Sequence, residues 1–149
     1  NKNFSSKIKE KVLRDKIPIL GICLGMQLLA SWGSEGSDEG FVEGLDLING
    51  KVVSLKDLGS NLVLPHIGWN NIKIKNQSNL IKNIPMNTDF YFVHSYAYTQ
   101  MEKKNIIAIA SYGVEFPALI NCKNIWGAQF HPEKSSRAGL EIIKNFIAN

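Results

Sequence analysis

The sequence predicts an α/β layered domain, and three observations predict it. An apolar run over residues 17–22 feeds a glycine-flanked turn and then a helical pattern. Closely spaced apolar stretches occupy most of residues 51–130. An amphipathic segment closes the chain. Helix, strand, helix, a block of short strands and a final helix describe a sheet with helices packed on it, not a sandwich or a bundle.

Each element has its own signal. Residues 4–16 place Ile8, Val12 and Leu13 at helical spacing among Lys and Glu, with Ser5 or Ser6 available as a cap. Pro18 pushes Ile17 toward extended geometry, so residues 17–22 read as a buried strand ending at Cys23. Met26, Gln27, Leu28, Leu29 and Ala30 then read as a helix. Residues 33–44 are rich in Gly, Ser and acid, which predicts an exposed loop. Its Asp38–Glu39 pair has no His or Cys nearby and reads as a solvated turn, not a metal site.

Strands are predicted at 51–55 and at 69–75, where Trp69, Asn71 and Lys73 alternate with Asn70, Ile72 and Ile74. The aromatic-rich residues 89–98 and the runs 106–110, 116–120 and 125–130 follow as further strands. Residues 136–148 form the last predicted helix, with Leu140, Ile143 and Ile147 on one face and Ser135 or Ser136 as its cap.

Composition narrows the function classes. The 149 residues, 44% hydrophobic and 20% charged, suit a single domain over 1–149 with one substantial core. Net charge is +4, but the lysines are scattered and not interleaved with aromatics, so nothing marks a nucleic-acid stripe. No apolar segment approaches the ~20 residues that span a bilayer, and no signal-peptide pattern opens the chain. Two distant cysteines, Cys23 and Cys122, make no disulfide framework, and a reducing cytoplasm is the expected compartment. The chain begins with Asn1, not Met, which suggests that the natural protein has a further N-terminal portion.

Chemistry concentrates at two places. In Gly21-Ile22-Cys23-Leu24-Gly25-Met26-Gln27, small residues two before and two after Cys23 permit a tight strand-turn-helix elbow. A thiol held at the top of such a turn is exposed for attack, and a helix start behind it can lower its pKa. The other reading is a small buried hydrophobe. The second place is Gln129-Phe130-His131-Pro132-Glu133. Proline keeps His131 extended, so His131 and Glu133 share a face. A carboxylate on one ring nitrogen leaves the other to take a thiol proton. His66 and Cys122 read as structural, His66 because nothing nearby in sequence pairs with it.

These two motifs together resemble the class I (triad) glutamine amidotransferases. Pro65-His66-Ile67-Gly68-Trp69-Asn70, Asp89-Phe90-Tyr91-Phe92-Val93-His94-Ser95-Tyr96 and His131-Pro132-Glu133-Lys134-Ser135 narrow the resemblance to glutaminase subunits of imidazole glycerol phosphate synthases. The likeness runs from about Ile17 to the C-terminus. It implies a flavodoxin-like layered sheet with flanking helices that lacks the family's first strand-helix-strand unit, about fifty residues by the size norm for one domain. A Pro-Gly-rich loop in that unit carries the family's second oxyanion donor.

By the same resemblance, Cys23 is the nucleophile, His131 the proton shuttle and Glu133 its orienting carboxylate. The Leu24 N–H is an oxyanion donor, Gln27 binds substrate glutamine, and His94, Ser95 and Tyr96 line the pocket. Trp69, Tyr91 and Lys134 match positions at the docking face for a (β/α)₈-barrel synthase, the partner in a heterodimer. No cofactor or metal is implied. Read without the family, Trp69 and Tyr91 are core aromatics and Lys134 a solvated charge. The rival functions are an ammonia supplier for a surface-sugar amidotransferase system, an inactive fragment or binding module, and, more remotely, a cysteine peptidase or γ-glutamyl hydrolase.

Overall fold

In the computed structural model, which describes residues 2–37 and 40–149, the chain opens with helix α1 (Lys2–Lys9), and a π-helical turn, Glu10–Arg14, follows. The helix starts earlier than the sequence predicts, so Ser5 and Ser6 lie inside it and cannot act as its N-cap. Val12 is buried while Leu13 is exposed. Strand β1 (Ile19–Ile22) begins just beyond Pro18, which has no N–H to give to a ladder. Helix α2 (Leu24–Leu28) follows at once.

The expected loop at 33–44 contains a small ladder: β2 (Trp32–Gly33) pairs antiparallel with β3 (Val42–Glu43). Asp38 and Glu39 lie outside the described residues. Next come β4 (Lys51–Ser54), β5 (His66–Asn71) and β6 (Lys73–Ile74). The single strand expected at 69–75 is thus two, broken at the buried Ile72: β5 pairs with one partner and β6 with another. The alternation read from the sequence holds, with Trp69, Asn71 and Lys73 outward.

Residues 89–98 are likewise two strands, β7 (Asp89–His94) and β8 (Tyr96–Thr99). Strand β7 pairs with β5 and β8 with β4, so the chain changes sheets at Ser95. The carbonyl of Ser95 accepts from the Leu55 N–H at 2.9 Å, which anchors the crossing. Strands β9 (Ile106–Ser111), β10 (Glu115–Cys122) and β11 (Ile125–Ala128) form consecutive antiparallel pairs.

The principal sheet has the order β1-β11-β10-β9-β6, with β1 and β11 parallel and the other pairs antiparallel. Its faces separate two apolar clusters. Leu119, Trp126 and Ala128 point to one, with Phe90, Phe92, Phe116, Phe130 and Ile142. Ile120 and Ile125 point to the other, with Val12, Met26, Leu29, Val52 and Tyr98. This is the period-two alternation of a sheet covered on both sides. The stacked pair Phe90–Phe130, 4.1 Å between centroids, ties β7 to the residues just after β11.

Helix α3 (Ser136–Ile147) closes the chain, but its buried stripe is not the one predicted. Gly139 and Ile142 are buried and Phe146 is half-buried, whereas Leu140 and Ile147 are 56% and 78% exposed. The helix approaches so closely at Gly139 that a Cβ there would meet the Pro132 carbonyl. That contact turns the helix on its axis. Ser135 does not cap it; its hydroxyl is used elsewhere, as described below.

Candidate active site

The parallel pair β1–β11 decides where the site lies. Ile22 stands opposite Ala128, and the Cys23 N–H donates to the Ala128 carbonyl at 2.7 Å. Cys23 and the segment 129–133 therefore leave the same end of two neighbouring strands, the end where open α/β sheets bind ligands. Cys23 has φ 50° and ψ −110°, a conformation that side chains rarely adopt. Gly21 makes this elbow possible, because a Cβ there would sit 2.5 Å from the Gly25 carbonyl oxygen and 2.7 Å from the Met26 nitrogen. Gly25 has no such role. A Cβ on it would meet nothing within 4 Å, so only one of the two flanking glycines is sterically required.

The thiol of Cys23 is half-buried and donates to the Val93 carbonyl at 3.5 Å. Burial pushes its pKa up, and the Leu24 backbone N–H offsets this only in part; Glu35 and Glu133 add to the upward shift. The expected lowering by the helix start is thus not realised: α2 is only five residues long, and desolvation outweighs it. In this state a base must remove the proton.

His131 stands at the end of β11's extension, held by its own N–H on the Tyr91 carbonyl at 2.9 Å. Its Nδ1 meets Glu133 Oε1 at 2.7 Å, so the predicted pair forms, though not on a shared face of extended chain. The residues from Pro132 to Lys134 form a 3-10 turn, which brings Glu133 back beneath the ring. Burial works against the charge on Glu133, but the His131 hydrogen bond and backbone contacts hold its carboxyl below the usual range. Nδ1 is therefore the protonated nitrogen, and Nε2 is left as the base.

Gln27, one turn along α2 from Cys23, gives its Nε2 to the Tyr96 carbonyl at 3.1 Å and to Gln129 Oε1 at 3.3 Å. Leu24, Gln27, Leu28, Gly33, Glu35 and Val52 line a small cleft beside the nucleophile. Burial there raises the pKa of Glu35. His94 is buried with its ring turned inward, so among the expected pocket residues it borders the site through its backbone neighbours. His66, read as structural with nothing to pair with it nearby in sequence, is buried and stands directly opposite His94 in the β5–β7 ladder, with Nδ1 2.9 Å from His94 Nε2. Cross-strand register, invisible from local sequence, makes that pair.

Trp69 is not a core aromatic: it is 56% exposed and packs edge-on against Tyr91, its ladder partner, at 5.8 Å. Ile67 and Lys134 are exposed as well. Three contributors went unread in the sequence. Gln129 is completely buried and aims Nε2 at Cys23 Sγ from 3.9 Å; its spacing of two from His131 was the available signal. Glu35 sits in a loop whose composition gives no hint of a site. Ser135 bridges Tyr91 and His131, accepting from the Tyr91 N–H at 2.9 Å and donating to the His131 carbonyl at 2.6 Å.

Comparison with known proteins places the chain in a family. The family described as glutamine amidotransferase class-I matches residues 3–149. The chain is 48% identical over 149 residues to imidazole glycerol phosphate synthase subunit HisH 1 of Prochlorococcus marinus, covering 97% of the chain and 68% of that protein. It is 46% identical over 145 residues to subunit HisH of Moorella thermoacetica, covering 97% of the chain and 66% of the relative. The chain thus spans about two thirds of the length of the curated relatives it matches. A crystal structure of a glutamine amidotransferase from Thermotoga maritima superposes with a TM-score of 0.65 at 19% identity, covering 98% of this chain and 54% of that one, a likeness of fold. With a cysteine elbow and a histidine–glutamate pair at the ends of adjacent parallel strands, and a family match along nearly its whole length, the chain belongs to the class-I glutamine amidotransferases.

Proposed function

We propose that the chain is the glutaminase part of an imidazole glycerol phosphate synthase, releasing ammonia from glutamine for a synthase partner in cytoplasmic histidine biosynthesis. The observation that carries this reading is the strand-end arrangement of Cys23 beside the His131–Glu133 pair, with the His131 Nδ1–H committed to Glu133. The relatives named above support the choice of synthase, since both bear its name. No comparable support favours a surface-sugar acceptor.

In this reading the Glu35 carboxylate and the Gln27 amide hold the amino-acid end of glutamine in the cleft. His131 Nε2 takes the Cys23 proton as sulfur attacks the carboxamide carbon. The oxyanion of the tetrahedral adduct faces the Leu24 N–H at the start of α2. His131 returns the proton to the leaving nitrogen, ammonia departs, and a glutamyl thioester remains. Water, deprotonated by His131, attacks that thioester and releases glutamate and the Cys23 thiol. Glu133 stabilises the imidazolium formed in each half-reaction. The exposed Trp69 and Lys134 and the half-buried Tyr91 form the docking face for the (β/α)₈-barrel partner, which receives the ammonia.

The test is glutamine hydrolysis by the purified protein, alone and with the synthase subunit and its nucleotide ligand. Turnover that rises with the partner and vanishes in Cys23→Ala supports the reading. Hydrolysis that survives Cys23→Ala, or none under any condition when a longer N-terminal chain is also supplied, overturns it.

A further inference from the structure

A continuous chain of hydrogen bonds runs from strand β5 to the nucleophile. Asn70 Nδ2 donates to the Ser111 carbonyl at 2.9 Å, which fixes the orientation of that amide because a carbonyl can only accept. The same Nδ2 lies 3.3 Å from His66 Nε2. His66 Nδ1 is 2.9 Å from His94 Nε2, and His94 Nδ1 is 2.8 Å from the Tyr96 carbonyl. Both ends of the two-ring chain are therefore defined. The Tyr96 carbonyl demands an N–H, so His94 carries its proton on Nδ1 and accepts at Nε2. His66 must then donate from Nδ1, leaving its Nε2 to accept from Asn70. A second proton on either ring would set one N–H against another.

The Tyr96 carbonyl is also where the site's amides begin. It accepts from Gln27 Nε2 at 3.1 Å. The other hydrogen of that amide goes to Gln129 Oε1 at 3.3 Å, and this turns Gln129 Nε2 toward Cys23 Sγ at 3.9 Å. The surroundings keep the rings neutral. His66 stacks on Tyr112 at 4.2 Å and on Phe92 at 5.0 Å, and His94 meets Phe116 edge-on at 4.8 Å. Among the described residues no Asp or Glu hydrogen-bonds either ring, and the other ionisable group acting on His94 is His131, a like charge when protonated. Burial brings both histidines down to about 4.

We propose that His66 and His94, as a neutral pair protonated on Nδ1, are positioning residues for Cys23: through the Tyr96 carbonyl and the Gln27 and Gln129 amides they hold an N–H on the sulfur and favour its thiolate. The inference rests on the glutaminase reading for its kinetic consequence, but its structural content does not depend on turnover. The pair touches neither sulfur nor substrate. It anchors the Tyr96 carbonyl, whose acceptor character sets the direction of the Gln27 and Gln129 amides, and without that anchor the carbonyl shifts and the Gln129 N–H loses its aim at the sulfur.

The experiment combines tautomer-resolved ¹⁵N NMR of the histidines in the full chain with the pH dependence of Cys23 alkylation by iodoacetamide. At pH 6.5 both His66 and His94 are expected to be neutral with the proton on Nδ1. Histidine with the proton on Nε2, or titration of either ring near its ordinary pKa, overturns the proposal whatever the variants do. His66→Phe keeps the stacking and removes the donor. It should shift the alkylation profile to higher pH and lower glutaminase kcat about tenfold, the worth of one hydrogen bond. KM should stay within about twofold, as for an interaction made only in the transition state.

His66→Asn, whose Nδ2 replaces the lost donor, should restore most of both. An unshifted profile in a folded His66→Phe, or no recovery in His66→Asn, contradicts the assignment. Gln129→Met, which removes only the last link, should repeat the alkylation shift and serves if His66→Phe does not fold. An intact alkylation effect without any glutamine turnover, with the synthase subunit and a longer N-terminal chain supplied, would uphold the relay and overturn the glutaminase reading instead.

Discussion

The backbone N–H of His131 donates to the carbonyl of Tyr91 at 2.9 Å, so the proposed base hangs from the strand that presents an aromatic ring beside Trp69. Ser135 closes the link from the other side by accepting from the Tyr91 N–H and donating to the His131 carbonyl. The placement of His131 therefore depends on that of β7.

Ser135→Ala tests that clamp. Ser135 is fully buried, so the substitution strands the Tyr91 N–H without its acceptor, at a cost of about 1–3 kcal/mol in stability. Thermal unfolding should register the loss, and kcat for glutamine should fall more than KM rises. Wild-type stability with wild-type kcat would show that the bridge holds nothing in place.

Gly21→Ala tests the elbow. The new Cβ would sit 2.5 Å from the Gly25 carbonyl oxygen, backbone against backbone, and nothing at the end of a flexible side chain is there to yield. The nucleophile must move, and hydrolysis should fall by about a hundredfold or more, since displacements of about 1 Å suffice for that. Gly25→Ala meets nothing and should cost far less. Equal damage from both would refute the steric account.

Stability should depend on pH through the histidine pair. Both rings have folded-state pKa values near 4, below the ordinary 6.5, so the unfolded chain binds more protons between those values. Their contribution is fully present above about pH 6.5 and is lost as pH falls toward 4, on the order of a few kcal/mol in total. Denaturant midpoints across that window check it. A flat profile contradicts the neutral buried pair, and one that rises toward acid reverses the sign.

Glu35→Gln separates two effects of one carboxylate. Losing the charge that faces the substrate ammonium should raise KM for glutamine about tenfold, as expected for a charge-assisted contact. Removing a negative charge that pushes the Cys23 thiol up should speed its alkylation at neutral pH. An unchanged KM with an unchanged alkylation rate would remove Glu35 from the site.

Much of this site was legible in the sequence because its chemistry is local. The elbow at Cys23 and the pair His131–Glu133 each lie within a few residues, where proline and glycine shape the chain, although the pair forms through a 3-10 turn and not through the period-two alternation expected of it. The strand content followed from apolar runs for the same reason. The breaks at Ile72 and Ser95 did not, because each marks a change of sheet that depends on which distant strand offers a free edge. The face of α3 was misread by about one residue position because close approach at Gly139, not the pattern of large side chains, sets its rotation. His66 found its partner 28 positions away by ladder register. Glu35 enters the cleft from a loop without periodicity. The upward shift of the Cys23 pKa arises from burial, which no motif reports.

The most direct measurement is mass-spectrometric mapping of the protein after exposure to an electrophilic glutamine analogue such as a diazoketone. The account predicts adduct formation on Cys23, protection by glutamine, and slower labelling in His131→Asn. Equal modification of Cys122, or labelling of Cys23 that glutamine leaves unprotected, would contradict a glutaminase site.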